Sequence, residues 1–129
     1  MYVSLIAAQV IAFFTRASSA AFNKVLPVFI QVNIAGEATK SGLRLESVSE
    51  LVGLVRGISH LKLEGLMAIP PYTENPQDSR VYFSRLRQMR DSLDARLKLS
   101  MGMSHDFEVA IEEGADIVRI GTAIFGARN

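Results

Sequence analysis

Short apolar runs alternate along the chain with longer stretches in which apolar residues recur every three or four positions. The runs are rich in β-branched residues and predict four strands, over residues 28–34, 61–69, 98–104 and 117–121. The stretches between them predict helices over residues 47–57, 75–97 and 106–113. The first helix follows the capping signature Ser47-x-x-Glu50, and the second follows Asn75-Pro76.

Strand followed by helix, repeated in this way, predicts an α/β fold with parallel strands. Parallel strands end at a common edge of the sheet, and ligands bind at that edge in such folds. The residues at the predicted strand ends are polar, glycine or methionine, namely Asn33, Met67, Ser104, Gly121 and Thr122. We therefore expect the functional site at this edge.

The chain has 129 residues, which allows one domain or part of one. Its 14 Lys and Arg residues against 13 Asp and Glu residues leave a net charge of +1, so there is no electrostatic case for nucleic acid or an anionic membrane as partner. With no cysteine and two distant histidines, disulfides, thiolate chemistry and a zinc site are not expected.

The opening run from Met1 to Phe14 is nearly all apolar and has no Lys or Arg. It lacks the positive start of a secretory signal, and Gln9 and Arg16 make it too short for a membrane span. We interpret it as a buried or partner-covered helix, with a signal remnant as the alternative. A cytoplasmic location is the default expectation.

Two capping residues follow consecutive predicted strands at the expected site. Ser104 comes before the predicted third helix, and Thr122 follows Gly121 at the start of a last helical turn. Helix N-termini present unpaired N–H groups, so two of them together predict a phosphate-binding cup. The alternative is that each residue only caps its helix.

Arg119 stands between Val118 and Ile120 in an otherwise apolar strand. A guanidinium in such a position needs partners. It either reaches the strand end beside the phosphate cup, or forms a structural ion pair with Asp116 or Glu64.

Several segments together carry a family resemblance. The chain contains Gln-Val-Asn ending at Asn33, Gly-Glu at 36–37, Lys-Ser-Gly-Leu at 40–43, Gly-Leu-Met at 65–67, Leu-Ser-Met-Gly-Met-Ser-His-Asp-Phe at 99–107 and Val-Arg-Ile-Gly-Thr-Ala-Ile-Phe-Gly at 118–126. In order and spacing they resemble the pyridoxal phosphate homeostasis proteins, over residues 25–129. That family is similar to the barrel domain of alanine racemase and binds pyridoxal 5′-phosphate (PLP).

The resemblance implies a role for each candidate residue. Ser104, Gly121 and Thr122 would hold the PLP phosphate, with Asn33 also among the cofactor-binding residues. No catalytic residue and no metal ligand is implied.

The resemblance also implies that Arg119 faces the pyridine nitrogen and that Met103 or Met101 lines the ring pocket. A guanidinium only donates hydrogen bonds, so it cannot give the ring nitrogen a full proton. An unprotonated pyridine is a weak electron sink, which suits a carrier better than an enzyme.

Residues 1–24 do not resemble the family's first strand, which carries its Schiff-base lysine, so no residue is assigned that role. We divide the chain into an N-terminal apolar helix over residues 1–24 and a partial PLP-binding (β/α) barrel domain over residues 25–129. The predicted strands correspond to the second half of a TIM-type barrel. A half-barrel leaves open edges, which a homodimer would close; cover by the N-terminal helix and a truncated gene product are the alternatives.

The sequence thus predicts a PLP-binding protein of PLP homeostasis, a non-catalytic carrier that holds its cofactor without a covalent bond. One alternative is a remnant or scaffold that binds only phosphate-bearing ligands. The other is a racemase-like enzyme, which needs a lysine and a second base that we do not find.

Overall fold

The computed structural model describes residues 3–5, 25–36 and 42–121. Within these ranges the chain forms a five-stranded sheet whose strands are all parallel and lie in sequence order. The strands are β1 (Val3–Leu5), β2 (Leu26–Gln31), β3 (Leu61–Met67), β4 (Lys98–Met103) and β5 (Ile117–Arg119). The predicted α/β class with parallel strands is confirmed.

Three helices connect the strands from β2 onward, as the apolar spacing predicts. They are α1 (Val48–Arg56), α2 (Arg80–Leu93) and α3 (Phe107–Glu112). Because parallel strands need a crossover connection, a helix lies between each successive pair from β2 to β5.

The hydrophobic core lies between the sheet and these helices. Its fully buried side chains include Val28 and Ile30 from β2, Leu66 from β3 and Leu99 from β4, opposed by Val55, Phe83 and Leu86 from the helices. Burying an apolar side chain of this size contributes about 1.5–3 kcal/mol, so this layer supplies most of the stability of the fold.

Of the two predicted capping residues, Asn75 caps a helical segment with its side chain and Ser47 does not. The Asn75 side chain accepts a hydrogen bond from the backbone N–H of Gln77 at 3.0 Å, which confirms the cap before Pro76. The element it caps is a 3-10 turn over Pro76–Ser79, which leads into α2 at Arg80. Ser47 is the residue before α1, but its side chain makes no capping hydrogen bond. A 3-10 turn over Leu45–Ser47 already leads into the helix, so Ser47 has helical backbone angles rather than the extended ones that a capping side chain needs.

The predicted helix over Met1 to Phe14 is wrong for the part that the structure describes. Val3–Leu5 is strand β1, whose residues pair in parallel register with Val28, Phe29 and Ile30. A short apolar run satisfies either a buried helix or a buried strand, and pairing with the edge of β2 favours the strand. The rest of residues 1–24 lies outside the described residues.

Asp94, directly after α2, accepts hydrogen bonds from the side chain and backbone N–H of Arg96 and pairs with Arg56 at 2.7 Å. The hydrogen bonds from Arg96, its side chain first, lower the pKa of Asp94 from 3.8 to about 2. A lowered folded-state pKa means that this carboxylate stabilises the fold above pH 3.8, and that its contribution disappears as the pH falls toward 2.

We therefore expect Asp94→Asn to lower the urea midpoint of unfolding at pH 6. The difference from the wild-type chain should shrink as the pH is lowered from 4 to below 2, because protons then neutralise wild-type Asp94 as well. Urea unfolding followed by circular dichroism at several pH values measures this. A difference that stays constant over the range would contradict the assignment.

Candidate functional site

The carboxyl ends of β3, β4 and β5 meet at one edge of the sheet. Met103, the last residue of β4, pairs in register with Arg119, the last residue of β5. Ser104 directly follows Met103, and Ala68 directly follows β3. The ends of β3 and β4 therefore lie beside Arg119, which ends β5.

The Arg119 guanidinium reaches from β5 across this edge. Its Nη2 donates to the carbonyl oxygen of Ala68 at 3.1 Å. Its Nε is buried and has no hydrogen-bond partner among the described residues. Burial lowers the pKa of Arg119, and the nearby negative charge of Asp106 acts in the opposite direction. A buried donor without a partner costs stability, and this one lies at the edge where parallel sheets bind ligands.

The structure does not support the ion-pair alternative for Arg119. Asp116 accepts a hydrogen bond from the Leu99 N–H at 2.8 Å and lies 3.9 Å from Arg90. Glu64 pairs instead with two lysines, Lys62 at 3.5 Å and Lys98 at 3.6 Å. Neither carboxylate is an ion-pair partner of Arg119.

The sequence predicts Ser104 as the N-cap of the third helix, and this prediction is wrong. That helix begins at Phe107, and its N-cap is Asp106. Ser104 lies in the turn that connects β4 to the helix, half-buried and adjacent to Met103. Backbone hydrogen bonding explains the shift, because the N–H of Asp106 donates to the carbonyl of Met103 and so closes a turn before the helix can start.

The two candidate methionines occupy different environments. Met101 is fully buried in the hydrophobic core. Met103 is 46% exposed at the strand end, next to Arg119. Of the two, only Met103 stands at the edge where a ligand has access.

The remaining candidates are spread along the same edge. Asn33 follows β2, two strands away from β4 in the sheet, where its backbone N–H donates to Leu43. Gly121 follows β5 by two residues and is exposed, and an added Cβ there would meet no described atom within 4 Å. Thr122 lies outside the described residues.

Sequence reasoning missed a contact that ties two loops together at this edge. The His105 Nε2 donates to the carbonyl of Thr73 at 2.6 Å, and its ring lies 4.9 Å from the ring of Tyr72. The only available signal was a histidine immediately after the Ser104 position. The residue types alone do not indicate that the loop after β3 is its partner.

Within the described ranges, no three His, Asp or Glu side chains come together as a metal-binding group. The helices at 48–56, 80–93 and 107–112 are all too short or too polar to cross a membrane.

A parallel β/α sheet with a cationic side chain at its carboxyl edge places the chain in the α/β class, whose members bind ligands at that edge. The chain matches the protein family described as "Alanine racemase, N-terminal domain" over residues 9–129, which begins upstream of the motif resemblance at residue 25. The chain therefore belongs to the alanine racemase N-terminal domain family.

Curated relatives narrow the family assignment to one group of proteins. The chain is 54% identical over 111 residues to the pyridoxal phosphate homeostasis protein of Aquifex aeolicus, covering 82% of this chain and 49% of that protein. It is 50% identical over 105 residues to the protein of the same name from Pseudomonas aeruginosa, covering 81% of this chain and 46% of the relative. The predicted family resemblance is confirmed, and the chain spans about half the length of the curated relatives it matches.

Solved structures share the fold. A protein from Bifidobacterium adolescentis superimposes with a TM-score of 0.81 at 34% identity, over 91% of this chain and 49% of that one. PipY of Synechococcus elongatus, solved with PLP bound, gives 0.80 at 22% identity, over 97% and 60%. Alanine racemase from Corynebacterium glutamicum gives 0.67 at 15% identity, over 99% and 36%. These matches confirm that the parallel β/α units correspond to part of a TIM-type barrel.

Proposed function

We propose that this chain binds PLP at the carboxyl edge of β3, β4 and β5, and that it serves PLP homeostasis as a non-catalytic carrier. The observation that carries the proposal is the half-buried Arg119 guanidinium at that edge, whose Nε has no hydrogen-bond partner in the part of the chain that the structure describes. The names of the curated relatives and the PLP bound to PipY support the choice of ligand.

The chemistry of Arg119 fits the pyridine ring of PLP. An unprotonated pyridine nitrogen is a hydrogen-bond acceptor, and Arg119 offers a donor that no described residue uses. Because the guanidinium stays protonated, it leaves the ring nitrogen without a proton of its own. Bound PLP supplies a reactive aldehyde, and a ring in this state is a weak electron sink for further chemistry.

The other candidates would hold the rest of the cofactor. Ser104 and Gly121, at the ends of neighbouring strands, would receive the phosphate together with Thr122. Met103, exposed beside Arg119, would lie against the ring, and Met101 is set aside because the core buries it. Asn33 would contribute from the end of β2.

A second copy of the chain would complete the site, as a homodimer. Within the described residues the sheet has two edge strands, β1 and β5, whereas a closed barrel has none. Exposed strand edges are ready to pair with another chain, and pairing would also shield the carboxyl edge from solvent.

The test is a titration of the full chain with PLP, after its mass in solution has been measured by analytical ultracentrifugation. We expect twice the 14.2 kDa mass of one chain. We also expect a saturable change in the visible absorbance of PLP, and weaker binding of pyridoxal, which lacks the phosphate. Borohydride reduction followed by mass spectrometry is expected to leave the chain unmodified, as non-covalent binding requires.

Each other outcome has a definite meaning. No spectral change at millimolar PLP would overturn the proposed function. Equal binding of inorganic phosphate and PLP would favour a scaffold for phosphate-bearing ligands. A reduced adduct on a lysine would replace non-covalent holding by covalent attachment, and a compact monomer would contradict the homodimer.

A further inference from the structure

Asp106 stands at the N-cap of α3 but does not cap that helix with its side chain. Its Oδ1 instead accepts a hydrogen bond from the backbone N–H of Met103 at 2.9 Å. Aspartate side chains commonly satisfy N–H groups at the start of their own helix. Here the carboxylate points back to the end of β4, which suggests a role outside the helix.

Two hydrogen bonds between Met103 and Asp106 close the turn that connects β4 to α3. The Met103 N–H donates to the Asp106 carboxylate, and the Asp106 N–H donates to the Met103 carbonyl at 3.1 Å. Ser104 lies inside the turn so closed. Its backbone position therefore depends on Asp106.

The packing before the turn leaves little freedom. Gly102 has a φ of +99°, and a Cβ added to it would lie 2.6 Å from the Cβ of Ala110 in α3. The end of β4 and the helix thus approach each other closely at a residue that only glycine suits. Just after Gly102, the Asp106 side chain holds the Met103 N–H and so fixes the end of β4 against the start of α3.

The same carboxylate acts on Arg119. Met103, whose N–H it binds, pairs in register with Arg119. The two charged groups form no ion pair within 4.0 Å, so Asp106 attracts the guanidinium without using its Nε donor. One side chain therefore connects the Ser104 turn with the cation beside it.

We propose that Asp106 is the positioning residue of this site: it fixes the Met103–Asp106 turn against Arg119, so that Ser104 and the guanidinium face one ligand. The proposal deepens the proposed function and rests on it. Asp106 is not a ligand contact in this proposal: its main effect passes through the Met103 N–H, and its charge adds a smaller attraction on Arg119.

The experiment compares two substitutions of Asp106. Asp106→Ala removes the acceptor for the Met103 N–H, whereas Asp106→Asn keeps an oxygen acceptor and removes only the charge. Glu108→Ala and Glu108→Gln are matched controls, because Glu108 is exposed, lies in the first turn of the same helix and loses the same charge. Each variant is titrated with PLP, and exchange of the Met103 amide hydrogen is followed by NMR without ligand.

We expect Asp106→Ala to raise the Kd for PLP about tenfold and to speed exchange of the Met103 amide at least tenfold. Asp106→Asn should restore amide protection and bring the Kd within about threefold of the wild-type value, since its oxygen accepts the same hydrogen bond. The Glu108 variants should match the wild-type chain in both measurements.

Wild-type affinity in Asp106→Ala would overturn the proposal, as would an Asp106→Asn variant that binds as weakly as Asp106→Ala. The amide measurement needs no ligand, so unchanged Met103 exchange in Asp106→Ala also overturns it. Absence of PLP binding by the wild-type chain is a separate result, which overturns the proposed function.

Discussion

Replacement of Gly65 by alanine is expected to lower the free energy of unfolding by about 3 kcal/mol or more. A Cβ at this position would lie 2.1 Å from the carbonyl oxygen of Lys98 and 2.7 Å from a ring carbon of Phe29. Lys98 is the residue of β4 that pairs with Gly65, so the clash is with the backbone of a neighbouring strand. No side-chain rotation relieves it, and the sheet must separate at its centre.

Gly53 provides the matched control. It lies within α1, where an added Cβ would meet no described atom within 4 Å. Because alanine is the better helix former, Gly53→Ala is expected to raise stability by about 0.5–1 kcal/mol. Urea unfolding of both variants measures the contrast. A Gly65→Ala chain as stable as the wild-type chain would mean that β3 and β4 do not pair in this register.

Replacement of Arg119 by methionine is expected to raise the Kd for PLP at least about tenfold, which corresponds to a loss of about 1.4 kcal/mol of binding free energy. Methionine has a similar length but donates no hydrogen bond and carries no charge. Removal of the Arg119 side chain should change the free energy of unfolding by less than about 1 kcal/mol. Loss of a partly buried cation, whose Nε has no hydrogen-bond partner among the described residues, offsets loss of the hydrogen bond from Nη2 to the Ala68 carbonyl. Weaker binding without a matching loss of stability is the distinguishing result.

Arg96→Met is the control for loss of one positive charge, because the Arg96 side chain is 91% exposed and lies in the connection after α2. It should leave PLP affinity within about twofold of the wild-type value. Absorbance titration of the two variants with PLP measures the Kd, and thermal unfolding measures their stability. If Arg119→Met binds PLP as the wild-type chain does, Arg119 is not the residue that faces the ring.

The regular elements were predictable because their signals are local. Strands β2 to β5 and the helices between them follow apolar periodicity, and Asn75 before Pro76 marks a helix start by its own chemistry. Strand β1 was not predictable, since three residues, Val3 to Leu5, are too few to show a period and become a strand only by pairing with β2.

The candidate site was predictable by position but not in detail. Strand ends gather at one edge by topology alone, which is why Met103 and Arg119 are neighbours. A regular strand would place Met101 and Met103 on the same face. The register shift between Ser100 and Met103, with a positive φ at Gly102, breaks the alternation and puts Met101 in the core.

The amino-acid sequence by itself determined the order of strands and helices from β2 onward, the edge at which these strands end and the family to which the chain belongs, because these depend on short-range patterns. Only the tertiary structure decided which carboxylates lie near Arg119 and that the Asp106 side chain binds Met103 instead of its own helix. Those contacts join residues brought together by packing and pairing, and no pattern along the chain encodes the direction of a single side chain.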